Sequence, residues 1–339
     1  MRKPGLSLII KTTIILLIGL LASIIAANRS DNGKNRNDTA AYAAHHHCIA
    51  SQKTIDQCRS EIGGLKYEFL YEQTIGFLAQ KLDFNNFYHI KIATALTIYT
   101  TILLAVGLQS RNPTLSILIL LLDFRFWEYG TNVLRHGFAA AFIAASTLLL
   151  NQERPRWSLL SRALATASHL SAAIILFIPT KRYKPLTLTL LTALVALVVA
   201  KSEYWIPLAL ESDLLEYKIN HYLRNTDGYN FSLPFHYALF ITIGLYLYFK
   251  TNSKSFIATF NYIVPLFLAS IVLGYLDASY RMASFMLPII AINIPDQISL
   301  LTKKFKEKEL AEKILTGLTG IALAFIAYRN QEFFMIHLA

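Results

Sequence analysis

The chain has 339 residues, of which 54% are hydrophobic and 16% charged, and this is too much apolar side chain for one water-soluble core. Its net charge of +11 is spread over short loops beside apolar stretches, which excludes a nucleic-acid-binding surface as the explanation of that charge. Several stretches reach the roughly 20 apolar residues that cross about 30 Å of hydrocarbon. The sequence therefore predicts an all-α, polytopic integral membrane helical bundle, with residues 1–339 forming a single transmembrane domain.

The first apolar stretch runs over residues 6–27 and follows the basic start Met1-Arg2-Lys3. A cleaved signal peptide is the alternative, but this stretch is longer than the roughly 7 to 15 residues of a signal h-region. We predict a retained N-terminal signal anchor. The basic residues before it place the N-terminus in the cytoplasm.

A long polar segment, residues 28–86, follows and is predicted to be an external loop. It holds both cysteines of the chain, Cys48 and Cys58, and an oxidising compartment favours a disulfide between them. A zinc site built from His45 to His47 and Cys48 is the alternative. Adjacent side chains point in divergent directions and the spacing matches no zinc motif, so we predict no metal.

Nine further apolar stretches bring the total to about ten predicted transmembrane helices. They cover residues 87–108, 114–129, 136–150, 157–178, 186–200, 235–249, 256–276, 284–298 and 314–328.

The basic residues of the loops indicate whether residues 157–178 form one membrane span or a broken helix. If this stretch is one span, the basic clusters at 181–184 and 303–308 fall outside, against the positive-inside rule. A re-entrant or broken helix that turns near His169 at the outer face returns both clusters to the cytoplasm. It also places residues 201–234 in a second external loop and puts Arg135, His169 and Arg281 on the external side.

Four ionisable side chains stand near the predicted membrane boundary. An arginine near a bilayer centre costs roughly 2.5 to 3.5 kcal/mol, so such residues usually face a polar cavity and mark function. The structural alternatives are interfacial anchoring for Arg135 and Arg281, and a bond to a neighbouring helix for His169. Glu72 lies in the amphipathic stretch 67–82, where a solvated carboxylate at the outer interface is expected.

The order of these residues resembles the EpsG and Wzy family of bacterial polysaccharide polymerases. Residues 135–139 match the family's pattern of Arg, a polar residue, a small residue, any residue and Ala. Residues 169–171 match the His-x-Ser of a later motif, in which Ser168 stands where the family has an aromatic residue. Residues 71–77 are similar to a Glu-Pro-Gly-Phe element without its Pro-Gly, and residues 279–285 look like the family's closing section.

The resemblance, which covers the chain after about residue 50, implies a metal-independent glycosyltransferase that needs no cofactor. Such a polymerase joins oligosaccharide repeat units carried on undecaprenyl pyrophosphate, with a lipid-linked donor and a lipid-linked acceptor, at the outer face of the inner membrane. Membrane lipid, a flippase and a chain-length regulator are the implied partners, and nucleic acid is not among them.

Candidate roles follow from the chemistry of a departing pyrophosphate. Guanidinium groups stabilise its developing charge, which suits Arg135 and Arg281. A base or hydrogen-bond orienter must act on the acceptor hydroxyl, and His169 and Glu72 both remain candidates. The residues predicted to bind substrate are His136, Ser171, Tyr217 and Tyr280.

Two other classes of function stay open at this stage. A glycosyltransferase that uses a polyprenyl-phosphate sugar needs an acidic pair in its first external loop, where Asp31, Asp38 and Asp56 are instead scattered. A transporter or flippase for a lipid-linked glycan is expected to show internal repeats and a charge near the midplane. No repeat is visible in this sequence.

Overall fold

The computed structural model describes residues 6–28, 39–61, 69–82, 84, 86–131, 133–179, 181–201, 238–274 and 278–329. Within these ranges the protein is helical and contains no β-strand. In chain order the α-helices are α1 (Leu6–Ala27), α2 (Thr39–Ala50), α3 (Ile55–Glu61), α4 (Phe69–Lys81), α5 (Phe87–Gln109), α6 (Pro113–Leu121), α7 (Phe124–Thr131), α8 (Leu134–Asn151), α9 (Pro155–Ser168), α10 (Pro185–Ala200), α11 (Ala238–Lys250), α12 (Lys254–Val272), α13 (Ala278–Thr302) and α14 (Lys308–Arg329). A 3₁₀ helix, Leu170–Phe177, follows α9.

Five of the described helices, α1, α5, α12, α13 and α14, are long and apolar enough to cross a membrane, and α7 with α8 makes a sixth if that bent pair is one span. Helices α10 and α11 are apolar but have only 16 and 13 residues. The predicted polytopic helical membrane protein is confirmed. Within the described residues, fewer helices reach full spanning length than the ten apolar stretches predicted, because several of the described stretches are short or broken.

The prediction of one span over residues 114–129 is wrong. Helix α6 ends at Leu121 and α7 begins at Phe124, so the stretch is two short helices. The Asp123 carboxylate between them accepts the backbone N–H of Arg125 at 3.0 Å and pairs with the Arg125 guanidinium. Because this charged residue caps a new helix, the apolar run cannot continue as a single rod.

The polar segment after α1 contains helices α2, α3 and α4. Cys48 and Cys58 form a disulfide between α2 and α3, so the Cys48 sulfur is not free to serve in the alternative zinc site. Helix α2 packs on α4 and α5, and α4 also packs on α9. His46 of α2 donates a hydrogen bond from Nε2 to the carbonyl of Phe84 at 2.7 Å. The predicted second external loop, residues 201–234, lies outside the described residues apart from Lys201.

The chain breaks at His169, as predicted. His169 follows α9 with extended backbone angles, φ −156° and ψ 115°, and the eight-residue 3₁₀ helix begins at the next residue. This 3₁₀ helix runs back along α9. Runs of this length are uncommon.

Helix α13 lies at the centre of the bundle, where it contacts α5, α6, α8, α12 and the 3₁₀ helix. In contrast, α10 has no buried residue, and α14 has none in its apolar stretch and exposes Ile321 at 69%. Exposed apolar helices of this kind are suited to contact with lipid tails. The bundle therefore presents a buried central helix and a lipid-facing periphery.

Candidate functional site

Three interruptions of the helical backbone meet at one end of α13. Helix α8 starts after a bend of 118° from α7, the 3₁₀ helix starts after His169, and α13 itself starts at Ala278. His136 in the first turn of α8 contacts Ser284 of α13 with 2.6 Å between Nε2 and Oγ. Arg281 in the first turn of α13 contacts His169 with 2.9 Å between Nη1 and Nε2. Two hydrogen bonds thus tie all three breaks together.

Both ring nitrogens of His169 are engaged. Arginine can only donate, so the contact with Arg281 makes Nε2 of His169 the acceptor. A neutral ring then carries its proton on Nδ1, which lies 2.6 Å from the Ser171 hydroxyl oxygen and donates to it. The backbone N–H of Ser171 is also 3.3 Å from Nδ1, a contact that suits only the other tautomer. The contact with Arg281 is shorter than the contact with the Ser171 N–H, and a guanidinium can only donate, so we assign the His169 proton to Nδ1.

His136 is buried and packs against other aromatic rings. Its ring stacks on Phe285 with centroids 3.9 Å apart and meets the His169 ring edge-on at 5.3 Å, and the residue is 3% exposed. The close approach of α8 to α7 depends on the neighbouring Gly137, where an added Cβ would lie 2.4 Å from the Tyr129 carbonyl oxygen. Only glycine allows this backbone contact, so the first turn of α8 is fixed by packing.

Arg135 lies on the side of the site that faces helices α2 and α4. Its Nε donates to the Tyr42 hydroxyl at 3.2 Å, and its guanidinium carbon lies 5.8 Å from the centroid of the same ring. The Tyr42 ring contacts Tyr71, the neighbour of Glu72. Glu72 is 1% exposed, so the expectation of a solvated carboxylate is wrong. The reason is that α4 packs against α2 and α9 rather than resting on the surface.

The two arginines are close to the same histidine. Both Arg135 and Arg281 interact electrostatically with the His136 ring, and both are half-buried. Arg281 directs its guanidinium to His169 inside the bundle, which differs from a purely interfacial anchor. The structure therefore brings Arg135, His136, His169 and Arg281 into one cluster.

Tyr280, the neighbour of Arg281 in the chain, forms a second polar contact with Glu128 of α7. Its hydroxyl donates to the carboxylate of Glu128, a residue of α7 that is 9% exposed. Sequence reasoning did not select Glu128, although an acidic residue inside an apolar stretch is a recognisable signal. Tyr217, the remaining predicted substrate-binding residue, lies outside the described part of the chain.

Arg162 is a further residue that sequence reasoning missed. It lies midway along α9, is 4% exposed, and donates to the carbonyl of Ile178 at 2.8 Å and to the Tyr262 hydroxyl at 3.0 Å. Its Nη1 also lies 3.5 Å from the Ile175 carbonyl. These bonds satisfy carbonyl groups at the end of the 3₁₀ helix, so Arg162 positions the segment that carries His169 and Ser171.

Over the described ranges, no three His, Cys, Asp or Glu side chains group in a way that could hold a metal ion. The donors of the cluster are charged guanidinium groups and imidazole N–H groups. Donors of this kind recognise phosphate oxygens through charge-assisted hydrogen bonds.

One of the comparisons with known proteins matches nearly the whole chain. No curated protein and no solved structure matches this chain. The model of the EpsG family matches residues 12–336, which is nearly the whole chain. The predicted resemblance is confirmed, and the chain belongs to the EpsG family.

Proposed function

We propose that this protein is a polymerase that joins oligosaccharide repeat units carried on undecaprenyl pyrophosphate into a surface polysaccharide, at the outer face of the bacterial inner membrane. Membership of the EpsG family implies a polysaccharide polymerase-like membrane protein. The observation that carries the finer proposal is the contact between Arg281 and His169, which closes a cationic cluster at the three helix breaks.

The cluster is suited to a diphosphate. Arg135 and Arg281 supply two guanidinium groups that both interact electrostatically with one histidine ring. The first turns of α8, α13 and the 3₁₀ helix also meet here, and the N-terminal end of a helix carries a partial positive charge. A leaving pyrophosphate gains negative charge in the transition state, so fixed cations and dipoles lower the barrier to its departure.

The two ends of α13 differ in charge, which indicates the side of the membrane that each end faces. Arg281 and Asp296 are 15 residues apart on this helix, which corresponds to about 22 Å at roughly 1.5 Å per residue. At the far end, Arg111 pairs with Asp296 at 3.0 Å, and a run of lysines follows between residues 303 and 308. The positive-inside rule assigns this lysine-rich end to the cytoplasm. The cluster then faces the opposite side, where lipid-linked repeat units await polymerisation.

The polyprenyl chains of the substrates need an apolar path to the cluster. The 3₁₀ helix begins next to His169 and exposes Leu170 at 57% and Phe177 at 85%. These side chains offer an apolar surface that leads from lipid to the polar site. The donor then places its pyrophosphate among the guanidinium groups while its lipid tail stays in hydrocarbon.

The test is a gene deletion complemented with single variants, followed by separation of the surface glycan by size. Loss of a polymerase leaves single repeat units on the lipid or core, whereas loss of a flippase leaves no glycan outside. We expect Arg135→Ala, His169→Ala and Arg281→Ala to give single units. Arg156→Ala is the matched control, because Arg156 is exposed at the start of α9. Long chains from all three site variants would refute the proposal.

A further inference from the structure

We infer that Nδ1 of His136, rather than His169 or Glu72, takes the proton of the acceptor hydroxyl during glycosyl transfer. This inference rests on the proposed function and assigns the base within the same cluster. It follows from which nitrogen lone pairs the protein itself already uses.

The proton on the His136 ring can be placed from the bonds of Ser284. The Ser284 hydroxyl donates to the carbonyl of Arg281 at 3.0 Å, so its single proton is already used. With that proton assigned to the carbonyl, the hydroxyl oxygen accepts from Nε2 of His136, which lies 2.6 Å away. Hence Nε2 carries the N–H, and Nδ1 of the neutral ring has a lone pair.

Nothing within the described part of the chain donates to that lone pair. Nδ1 of His136 is buried and has no hydrogen-bond partner there. A buried polar atom left unsatisfied costs roughly 1 to 3 kcal/mol. A doubly protonated ring would be worse, because it would place a third cation beside Arg135 and Arg281. The neutral ring with an open acceptor position is the form that the packing selects.

His169 differs in this respect. Its Nε2 lone pair already accepts from Arg281, and its Nδ1 proton is directed to Ser171. To act as a base, His169 would first have to lose the guanidinium that the diphosphate also needs. We therefore assign His169 to positioning Arg281, and His136 to direct contact with the substrate.

The ligand that fits Nδ1 of His136 is a hydroxyl group of the acceptor sugar. That hydroxyl gives its proton to Nδ1, and its oxygen forms the new bond to the anomeric carbon of the donor. The bond between that carbon and the pyrophosphate oxygen breaks, and the pyrophosphate leaves with the electron pair. The proton then passes from Nδ1 to the departing pyrophosphate, which restores the neutral ring.

The neighbouring charges make this transfer depend on the donor. Two guanidinium groups oppose a positive charge on His136, but a pyrophosphate bound to them offsets that opposition. Proton uptake is therefore favoured only when the leaving group is in place. An acceptor alone leaves the hydroxyl protonated.

The experiment measures turnover by purified protein in vesicles, with the lipid extract of deletion-strain cells as the source of lipid-linked repeat units. His136→Gln keeps an N–H donor for Ser284 but has no basic lone pair at the Nδ1 position, and His136→Asn removes the base in a shorter side chain. His169→Gln keeps a carbonyl acceptor for Arg281. His89→Gln, at an exposed histidine, is the matched control.

We expect His136→Gln and His136→Asn to lose at least about a hundredfold in kcat, within the range of general-base catalysis, with KM changed by less than about threefold. His169→Gln is expected to recover at least about tenfold over His169→Ala, because the amide carbonyl still holds Arg281. Either His136 variant that remains monodisperse in detergent is sufficient for the test.

A folded His136→Gln or His136→Asn protein that loses less than a hundredfold in kcat overturns the assignment. So does His169→Gln that is no more active than His169→Ala, because His169 would then act by more than holding Arg281. If wild-type protein makes no polymer from the same extract, the proposed function itself fails, and this outcome differs from a failure confined to His136.

Discussion

Replacing Arg162 tests whether a buried arginine positions the 3₁₀ segment that follows His169. The guanidinium donates to the Ile178 carbonyl at 2.8 Å and to the Tyr262 hydroxyl at 3.0 Å. Arg162→Met removes both donors and leaves at least one buried acceptor unsatisfied. Of these two bonds, the one to Ile178 holds the segment, and a hydrogen bond to a charged group is worth roughly 1.5 to 3 kcal/mol, so its loss costs the segment up to about 3 kcal/mol of local stability.

Hydrogen exchange of the peptide covering residues 170–178 measures this loss directly. About 3 kcal/mol corresponds to exchange roughly 150-fold faster if these amides exchange through local opening. Polymer length should fall in the same variant, because His169 leads into this segment. Arg156→Met is the control, since Arg156 is exposed on the same helix and should leave exchange unchanged. Exchange in Arg162→Met within threefold of wild type would refute the positioning role.

Two further perturbations address packing and pH. Gly137→Ala places a methyl group 2.4 Å from the Tyr129 carbonyl oxygen, and this overlap should destabilise the protein by about 1 to 3 kcal/mol in thermal melting in detergent. Gly317→Ala is the control, because an added Cβ there has no atom within 4 Å and should leave the melting temperature unchanged. Equal melting temperatures of the two variants would contradict the close approach of α8 to α7. Burial lowers the pKa of His46 below its ordinary value of 6.5, although its bond to Phe84 opposes that shift. The unfolded chain therefore binds the extra proton first, so stability is present above pH 6.5 and is lost as pH falls through that value. His46→Gln should flatten this dependence between pH 8 and pH 5, and an unchanged slope would exclude His46 as its source.

Apolar length predicted the membrane bundle, and the positive-inside rule predicted the break at His169. Both succeed because they depend on properties of a single stretch of chain, namely its hydropathy and its flanking charges. The division between α6 and α7 was missed because one capping aspartate, Asp123, outweighs the apolar run around it. The burial of Glu72 was missed for another reason. An amphipathic helix can lie on a membrane surface or on another helix, and only tertiary packing separates the two.

The site residues were recognised by type and order, but not by their contacts. The roles of His136 and His169 depend on which lone pairs are occupied, and hydrogen bonds from Ser284 and Arg281 decide this. These partners are distant in sequence, 148 residues apart for His136 and Ser284. Local pattern therefore cannot assign the base, even when every member of the cluster is already known.

Breaking helices inside a membrane releases backbone carbonyl groups that must find donors within the protein. Arg162 serves Ile178, and the Asn261 side chain donates to the carbonyls of Pro179 and Lys181 at 2.9 and 3.0 Å. These donors belong to α9 and α12, so the chain that leaves the 3₁₀ helix is held by both helices.

That arrangement separates two kinds of arginine in one bundle. Arg162 is almost fully buried, and its guanidinium donates to the Ile178 carbonyl and to the Tyr262 hydroxyl within the bundle. Arg135 and Arg281 are half-buried at the first turns of α8 and α13, where the helix ends add positive charge. Without Arg162 the end of the 3₁₀ helix loses its donor to the Ile178 carbonyl, and without Arg281 the cluster loses one of its two guanidinium groups. We therefore expect loss of Arg162 to weaken every step that needs His169, and loss of Arg281 to weaken pyrophosphate binding first.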